Sequence, residues 1–190
     1  MNMKVNEVLD AKGLACPMPI VRTKKAMNTL ESGQVLEIQA TDKGSTADLQ
    51  AWSKSVGHQY LGTIEEGDVL KHYVRKSSAE EITEKKYTQV ISNEELVMKL
   101  QKGEKIVVLD VREQAEYVFG HIPNAVCIPL GELEERLKEL NQEDDIYVVC
   151  RSGNRSDLAA QKLSTNGFNH VTNVVPGMSQ WASSTEGIAK

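Results

Sequence analysis

The chain has 190 residues, a formal net charge of −5 and an apolar fraction of 40%, which suits two small folded domains and excludes disorder driven by composition. Neither half carries a basic stripe: residues 1–76 hold 10 Lys and Arg against 9 Asp and Glu, and residues 77–190 hold 12 against 18, so direct nucleic-acid binding is not expected. No run approaches the roughly 18 apolar residues of a membrane span, residues 1–4 lack a signal-peptide core, and no Cys or His pair sits at metal-ligand spacing. Of the three cysteines, two stand where free thiols are needed, which points to a reducing cytoplasmic setting with no metal or cofactor.

In chain order, the pattern predicts a strand at 4–10, a helix at 17–31, a strand at 34–40, a helix at 45–56 and strands at 58–65 and 68–76. Gly33, Gly57 and Glu66-Gly67-Asp68 supply the stops and a hairpin turn. Two helices on one side of a four-stranded mixed sheet, a two-layer α/β sandwich of βαβαββ order, is the packing this predicts. Cys16 falls where the first strand gives way to the first helix. Pro17 suits the first helical position, where its missing N–H is harmless, so Cys16 becomes the expected N-cap. The helix dipole and free amides are then expected to lower its pKa. Ile20, Val21, Met27 and Leu30 form the apolar face of that helix, and Met18 is expected to pack. The structural alternative for Cys16 is a capping residue with no chemistry.

Leu14-Ala15-Cys16-Pro17-Met18-Pro19-Ile20, with Asp10-Ala11-Lys12-Gly13-Leu14 before it, Val35-Leu36-Glu37-Ile38 after the helix and Thr46-Ala47-Asp48-Leu49 beyond, resembles the TusA-like (SirA-like) sulfur-carrier family. The resemblance implies that Cys16, supported by Pro17, accepts a persulfide and hands it to a partner protein.

Residues 77–86 read as a polar linker, which sets a first domain at 1–76 and a second at 87–190. In the second, Ser92 is expected to cap a helix at 93–102 with Glu95 as its capping-box partner. Next come a buried strand at 106–110, a short helix at 114–119, a strand at 126–128, a helix at 130–140, a strand at 146–149, a helix at 156–166, a strand at 171–174 and a last helix near 178–184. Alternation of this kind predicts an α/β domain whose parallel sheet is flanked by helices, with active groups at the carboxyl ends of the strands.

Cys150-Arg151-Ser152-Gly153-Asn154-Arg155-Ser156 follows the apolar strand Ile146-Tyr147-Val148-Val149. A cysteine at a strand end, then two arginines, a glycine and a serine able to open a helix, describes a thiolate held in an anion cradle. Ser156 is the expected N-cap. These residues resemble a single-domain rhodanese, as do Val107-Val108-Leu109-Asp110-Val111-Arg112, Glu116-Tyr117, Gly120-His121-Ile122-Pro123-Asn124-Ala125, Ile128-Pro129-Leu130, Val175-Pro176-Gly177-Met178 and Trp181. The resemblance implies a rhodanese-like α/β fold and Cys150 as the nucleophile that becomes a persulfide, cradled by residues 151–156. Arg155 would brace the loop, Arg151 would face the substrate, and Asp110 and Arg112 would support it. His121 would be structural. Cys150 and Arg155 enclose four residues; the related dual-specificity phosphatases have one more, so the shorter ring suits a sulfane sulfur rather than a phosphate ester.

The two resemblances together describe a sulfurtransferase that relays sulfane sulfur between Cys150 and Cys16. Its expected donor is thiosulfate, a low-molecular-weight persulfide or a cysteine desulfurase, and its acceptor a protein or small thiol. The alternatives are a non-enzymatic persulfide carrier or redox sensor, and a phosphatase or arsenate reductase built on the same loop. Cys127 reads either as core packing or as a resolving thiol.

Overall fold

A computed structural model of the chain describes residues 3–77 and 85–188 and divides into two compact units, Met1–Ala79 and Glu80–Lys190. Of the expected linker, residues 78–84 lie outside the described residues. Each unit has its own core. Among the described residues, no helix is long and apolar enough to cross a membrane.

The first unit runs β1 (Glu7–Asp10), α1 (Met18–Thr29), β2 (Val35–Ala40), α2 (Ser45–Val56), β3 (Gln59–Glu66) and β4 (Val69–Arg75). Its four strands lie in the order β1-β2-β4-β3, with β1 parallel to β2 and the other pairs antiparallel. Leu36, Ile38 and Val74 face one side of this sheet, where α1 contributes Ala26, Met27 and Leu30 and α2 contributes Leu49. The helix α1 departs from its expected face: Val21 and Met18 are both exposed.

A buried polar network ties β4 to the start of α2. His72 Nε2 lies 2.9 Å from Ser45 Oγ, and Ser45 Oγ donates to the Asp42 carbonyl at 2.5 Å. With its only proton committed there, Ser45 accepts from Nε2–H. His72 Nδ1 is then the acceptor for Tyr60 OH at 2.8 Å, with Thr63 Oγ1 at 3.0 Å. The network positions the first turn of α2.

The second unit runs β5 (Val90–Ser92), α3 (Asn93–Gln101), β6 (Val107–Asp110), α4 (Gln114–Phe119), β7 (Val126–Cys127), α5 (Leu133–Arg136), β8 (Ile146–Val149), α6 (Asn154–Thr165) and β9 (Val171–Val175). Five parallel strands lie in the order β5-β9-β8-β6-β7, which makes β8 central. Strand β8 is buried on both faces because its residues alternate. Ile146 and Val148 join the core under α5 and α6, while Tyr147 and Val149 join the core that holds Leu96 of α3 and Val118's neighbour Tyr117 of α4. The capping box at Ser92 forms, with Glu95 N donating to Ser92 Oγ at 3.2 Å and Ser92 N to the Glu95 carboxylate at 2.7 Å.

Two expected helices differ. The segment 130–140 is broken: 3-10 turns at 130–132 and 137–139 flank α5. Leu130, Leu133, Leu137 and Leu140 all reach the same core, and the tighter turns at each end bring the outer two inward. The last helix is only a 3-10 turn at 178–180. It stops where Trp181 turns extended and its Nε1 donates to the Ser184 carbonyl at 3.2 Å.

Burial pushes the His72 imidazole down to about 4. An unfolded chain binds that proton near pH 6.5, so between 6.5 and 4 the unfolded state holds more protons. The contribution of neutral His72 is whole above pH 6.5 and is lost as pH falls toward 4. The first unit is expected to lose up to roughly 3 kcal/mol of stability across that window, measured by urea unfolding at a series of pH values. The His72→Gln variant should flatten the slope; an unchanged slope contradicts the assignment.

Candidate functional site

Cys150 follows the central strand and is fully buried. Gly153 adopts φ 89°, in the left-handed region that glycine enters without cost, and so folds its own amide back to donate to Cys150 Sγ at 3.1 Å. The same turn starts α6 at Asn154, two residues before the expected cap. Ser156 is therefore not the N-cap, a place taken by Gly153; it lies in the first turn, with its hydroxyl 3.3 Å from Cys150 Sγ. The local cap signal at Ser156 is overridden because a glycine ahead of it can make the tighter turn.

The far side of the loop is held from β9. Met178 N donates to the Cys150 carbonyl at 2.8 Å and Ser179 N to the Arg151 carbonyl at 2.9 Å. Gly177, at φ 88°, presses so closely that a Cβ on it would lie 2.4 Å from the Cys150 carbonyl oxygen. Asn93, the first residue of α3, brackets Gly177 by donating to its carbonyl at 2.9 Å and accepting its amide at 3.1 Å. Asn173 Nδ2 donates to the Gly153 carbonyl at 3.2 Å.

Two buried ion pairs surround this core. Arg155 holds Glu116 of α4 with two bonds, at 2.7 and 2.9 Å. Arg112 holds Asp110 through Nη2 at 2.6 Å and Nε at 2.9 Å, and reaches the Gly120 carbonyl at 2.8 Å. Asp110 ends β6 opposite Val149, one strand from Cys150. These cations brace the scaffold. Arg151 and Ser152 are exposed, and Asn154 is partly buried at the start of α6.

Cys16 is exposed at the start of α1. The helix begins at Met18, with Pro17 rather than Cys16 at the N-cap. The expected lowering of its pKa is reversed. The negative charge of the Asp48 carboxylate, in the first turn of α2, together with Asp42, pushes the Cys16 thiol above the ordinary thiol range. The helix end offers little in opposition. Pro17 and Pro19 have no N–H, and Met18 N is committed to the Ala15 carbonyl at 2.9 Å.

Two further chemically suggestive groups, Cys127 and His121, have close partners of their own. Cys127 faces the Arg112 carbonyl at 3.9 Å, and burial with the nearby Asp110 charge pushes its thiol up to about 12. His121 stacks on Tyr117 with ring centroids 3.6 Å apart, and its Nδ1 lies 2.7 Å from the Tyr117 carbonyl. Asp48, Glu116, Asn93 and Asn173 carry parts of the two sites that sequence reasoning left without a role. An acidic residue in a first helical turn was the one local signal, at Asp48; the other three act through contacts distant in sequence.

Comparison with known proteins matches both units. The family described as sulfurtransferase TusA matches residues 7–76, and the rhodanese-like domain matches residues 92–184. The Bacillus subtilis protein YrkF is 54% identical over 184 residues, covering 97% of this chain and 100% of that one. The sulfur carrier protein TusA of Allochromatium vinosum is 44% identical over 72 residues, covering 38% of this chain and 95% of that one. The crystal structure of a rhodanese-like domain protein from Staphylococcus aureus superposes with a TM-score of 0.51 at 32% identity, covering 54% of this chain and 100% of that one. The chain belongs to the sulfur-carrier and sulfurtransferase family in which a TusA unit is fused to a rhodanese-like domain.

Glu116→Ala removes the bidentate partner of a buried guanidinium and is expected to destabilise the second unit by about 3–5 kcal/mol, read from its unfolding transition in urea. Asp48→Asn is expected to lower the pH midpoint of Cys16 alkylation. Site-resolved labelling across pH 6–10, roughly the span of thiol titration, tests this. An unmoved midpoint would show that Asp48 does not govern the thiol.

Proposed function

We propose that the protein is a rhodanese-type sulfurtransferase that takes sulfane sulfur on Cys150 as a persulfide and relays it to Cys16, from which the carrier unit presents it to a thiol or protein acceptor. The observation that supports this reading is the pair of hydrogen-bonding groups, the Gly153 amide and the Ser156 hydroxyl, placed at 3.1 and 3.3 Å from one buried sulfur at the end of a central strand. Donors fixed around a sulfur stabilise negative charge there without reorganising during the reaction.

With thiosulfate as donor, the Cys150 thiolate attacks the outer, sulfane sulfur. The new S–S bond forms as the bond to the sulfonate sulfur breaks, and sulfite leaves with the electron pair. Cys150 is left as a persulfide within the loop of Arg151, Ser152, Gly153, Asn154, Arg155 and Ser156. In the second step Cys16 attacks the outer sulfur of the Cys150 persulfide. Its thiol proton passes to the Asp48 carboxylate, the bond to Cys150 breaks, and Cys150 leaves as the thiolate. Atoms and charge balance in both steps without an added oxidant. Asp110 and Arg112 hold the neighbouring strand end, and Pro17 helps to keep amides away from Cys16. A low-molecular-weight persulfide or a cysteine desulfurase would serve equally as donor. Three free cysteines suit the reducing cytoplasm, where such a relay needs them.

Incubation of the reduced Cys16→Ala chain with thiosulfate should place an adduct of about 32 Da, one sulfur atom, on Cys150, detected by peptide mass spectrometry. Cys150→Ala should abolish turnover with thiol acceptors. Absence of the adduct with every sulfane donor overturns the reading.

A further inference from the structure

Residues 85–87 of the second unit form a strap that leads to the Cys150 loop. Asp157, in the first turn of α6, accepts the Lys86 amide on one carboxylate oxygen at 3.1 Å and the Tyr87 amide on the other at 2.9 Å. Gln161 Nε2 adds a third bond at 2.6 Å, and Tyr87 OH donates to the Val171 carbonyl at 3.1 Å. Lys85 and Lys86, which the sequence assigns to a linker, thus lie at the turn that closes the nucleophile's loop. Their position sets Lys85 beside Gly153: a Cβ on Gly153 would lie 3.0 Å from Lys85 Nζ and 3.3 Å from its Cε. The ammonium therefore lies against the Cα of the residue whose amide donates to the Cys150 sulfur. The two buried arginines of the region are each paired with a carboxylate, Arg155 with Glu116 and Arg112 with Asp110. Lys85 is exposed, so its charge can act on an anion arriving from solvent.

We propose that Lys85, held in place by Asp157, is a specificity-determining residue of the Cys150 site that favours dianionic sulfur donors over neutral ones. The inference rests on the sulfurtransferase reading above and adds to it a residue from outside the cysteine loop. Its effect is electrostatic, so it should be screened by salt and should follow donor charge.

The test uses the full-length chain and its Lys85→Ala, Lys85→Arg and Asp157→Asn variants. The rate of persulfide formation on Cys150 from thiosulfate is measured at low and high ionic strength. Lys85→Ala should slow loading roughly three- to ten-fold at low salt, with the difference vanishing near 1 M salt, where the screening length is only about 3 Å. Lys85→Arg should stay within about two-fold of the parent, because it keeps the charge. Asp157→Asn should show a partial loss, and adding Lys85→Ala to it should cost less than in the parent. Equal rates for Lys85→Ala and the parent, or a loss that Lys85→Arg shares and salt leaves unchanged, would overturn the proposal. Carboxymethylation of Cys150 by iodoacetate relative to iodoacetamide gives a second readout that needs no sulfur transfer. Lys85→Ala should lower that ratio three-fold or more, roughly the Coulombic preference for the anionic reagent; an unchanged ratio overturns the role of Lys85. If the parent takes sulfur from no donor while its ratio still depends on Lys85, the sulfurtransferase reading fails and the charge effect stands.

Discussion

A single left-handed turn governs the second unit's site. Gly153 bends back so that its N–H meets the sulfur three residues earlier, and this is possible only because the strand before it is immobilised. Strand β8 has neighbours on both sides and is covered on both faces, so Cys150 begins its loop from a fixed point. Its carbonyl is held by Met178 N and pressed by Gly177, which Asn93 fixes in turn. The Arg155–Glu116 pair secures the other end of the loop to α4. A side chain at Gly153 would meet both the strain of positive φ and the Val175 methyl, 2.7 Å from any Cβ. The cradle is thus rigid because each boundary belongs to a different packed element.

The two candidate sulfurs occupy opposite electrostatic surroundings. Cys150 is buried with an amide and a hydroxyl within hydrogen-bonding distance. Cys16 is exposed beside carboxylates, and Asp48 pushes its thiol further above the ordinary thiol range. This contrast gives the proposed relay a direction. In the proposed relay a buried sulfur that accepts the Gly153 amide would attack an anionic sulfur source and hold the product. A protonated thiol is a poor first nucleophile, but its proton has a carboxylate waiting once a persulfide is presented. The His72 network matters here because it fixes Ser45, and with it the first turn of α2 that carries Asp48.

Much of this was legible from the residues, where the signal was local or periodic. The capping box at Ser92 and Glu95, the apolar run of β8 and the stops at Gly33 and Gly57 are short-range patterns, and they mark elements within a residue or two. Motif order identified both units. Errors arose where a local signal competed with a tertiary one. Ser156 looks like a cap, yet Gly153 turns the chain earlier. Residues 130–140 have helical composition, but four leucines sharing one core tighten both ends. At Cys16 the sequence did contain the warning, since two prolines strip the helix end of amides; the Asp48 carboxylate, 32 residues away in the chain, could be placed only by the fold. Lys85 and Asp157 are separated by most of the second unit and carry no mutual sequence signature.

The central claim is that sulfur reaches Cys16 through Cys150, an order set by the opposite surroundings of the two thiols. The most direct measurement follows both cysteines by peptide mass spectrometry at successive times after thiosulfate is added to the intact chain and to Cys150→Ala. The account predicts that Cys150 gains sulfur first, that Cys16 follows after a lag, and that Cys16 stays unmodified in Cys150→Ala. Loading of Cys16 at the same rate in both chains would contradict it.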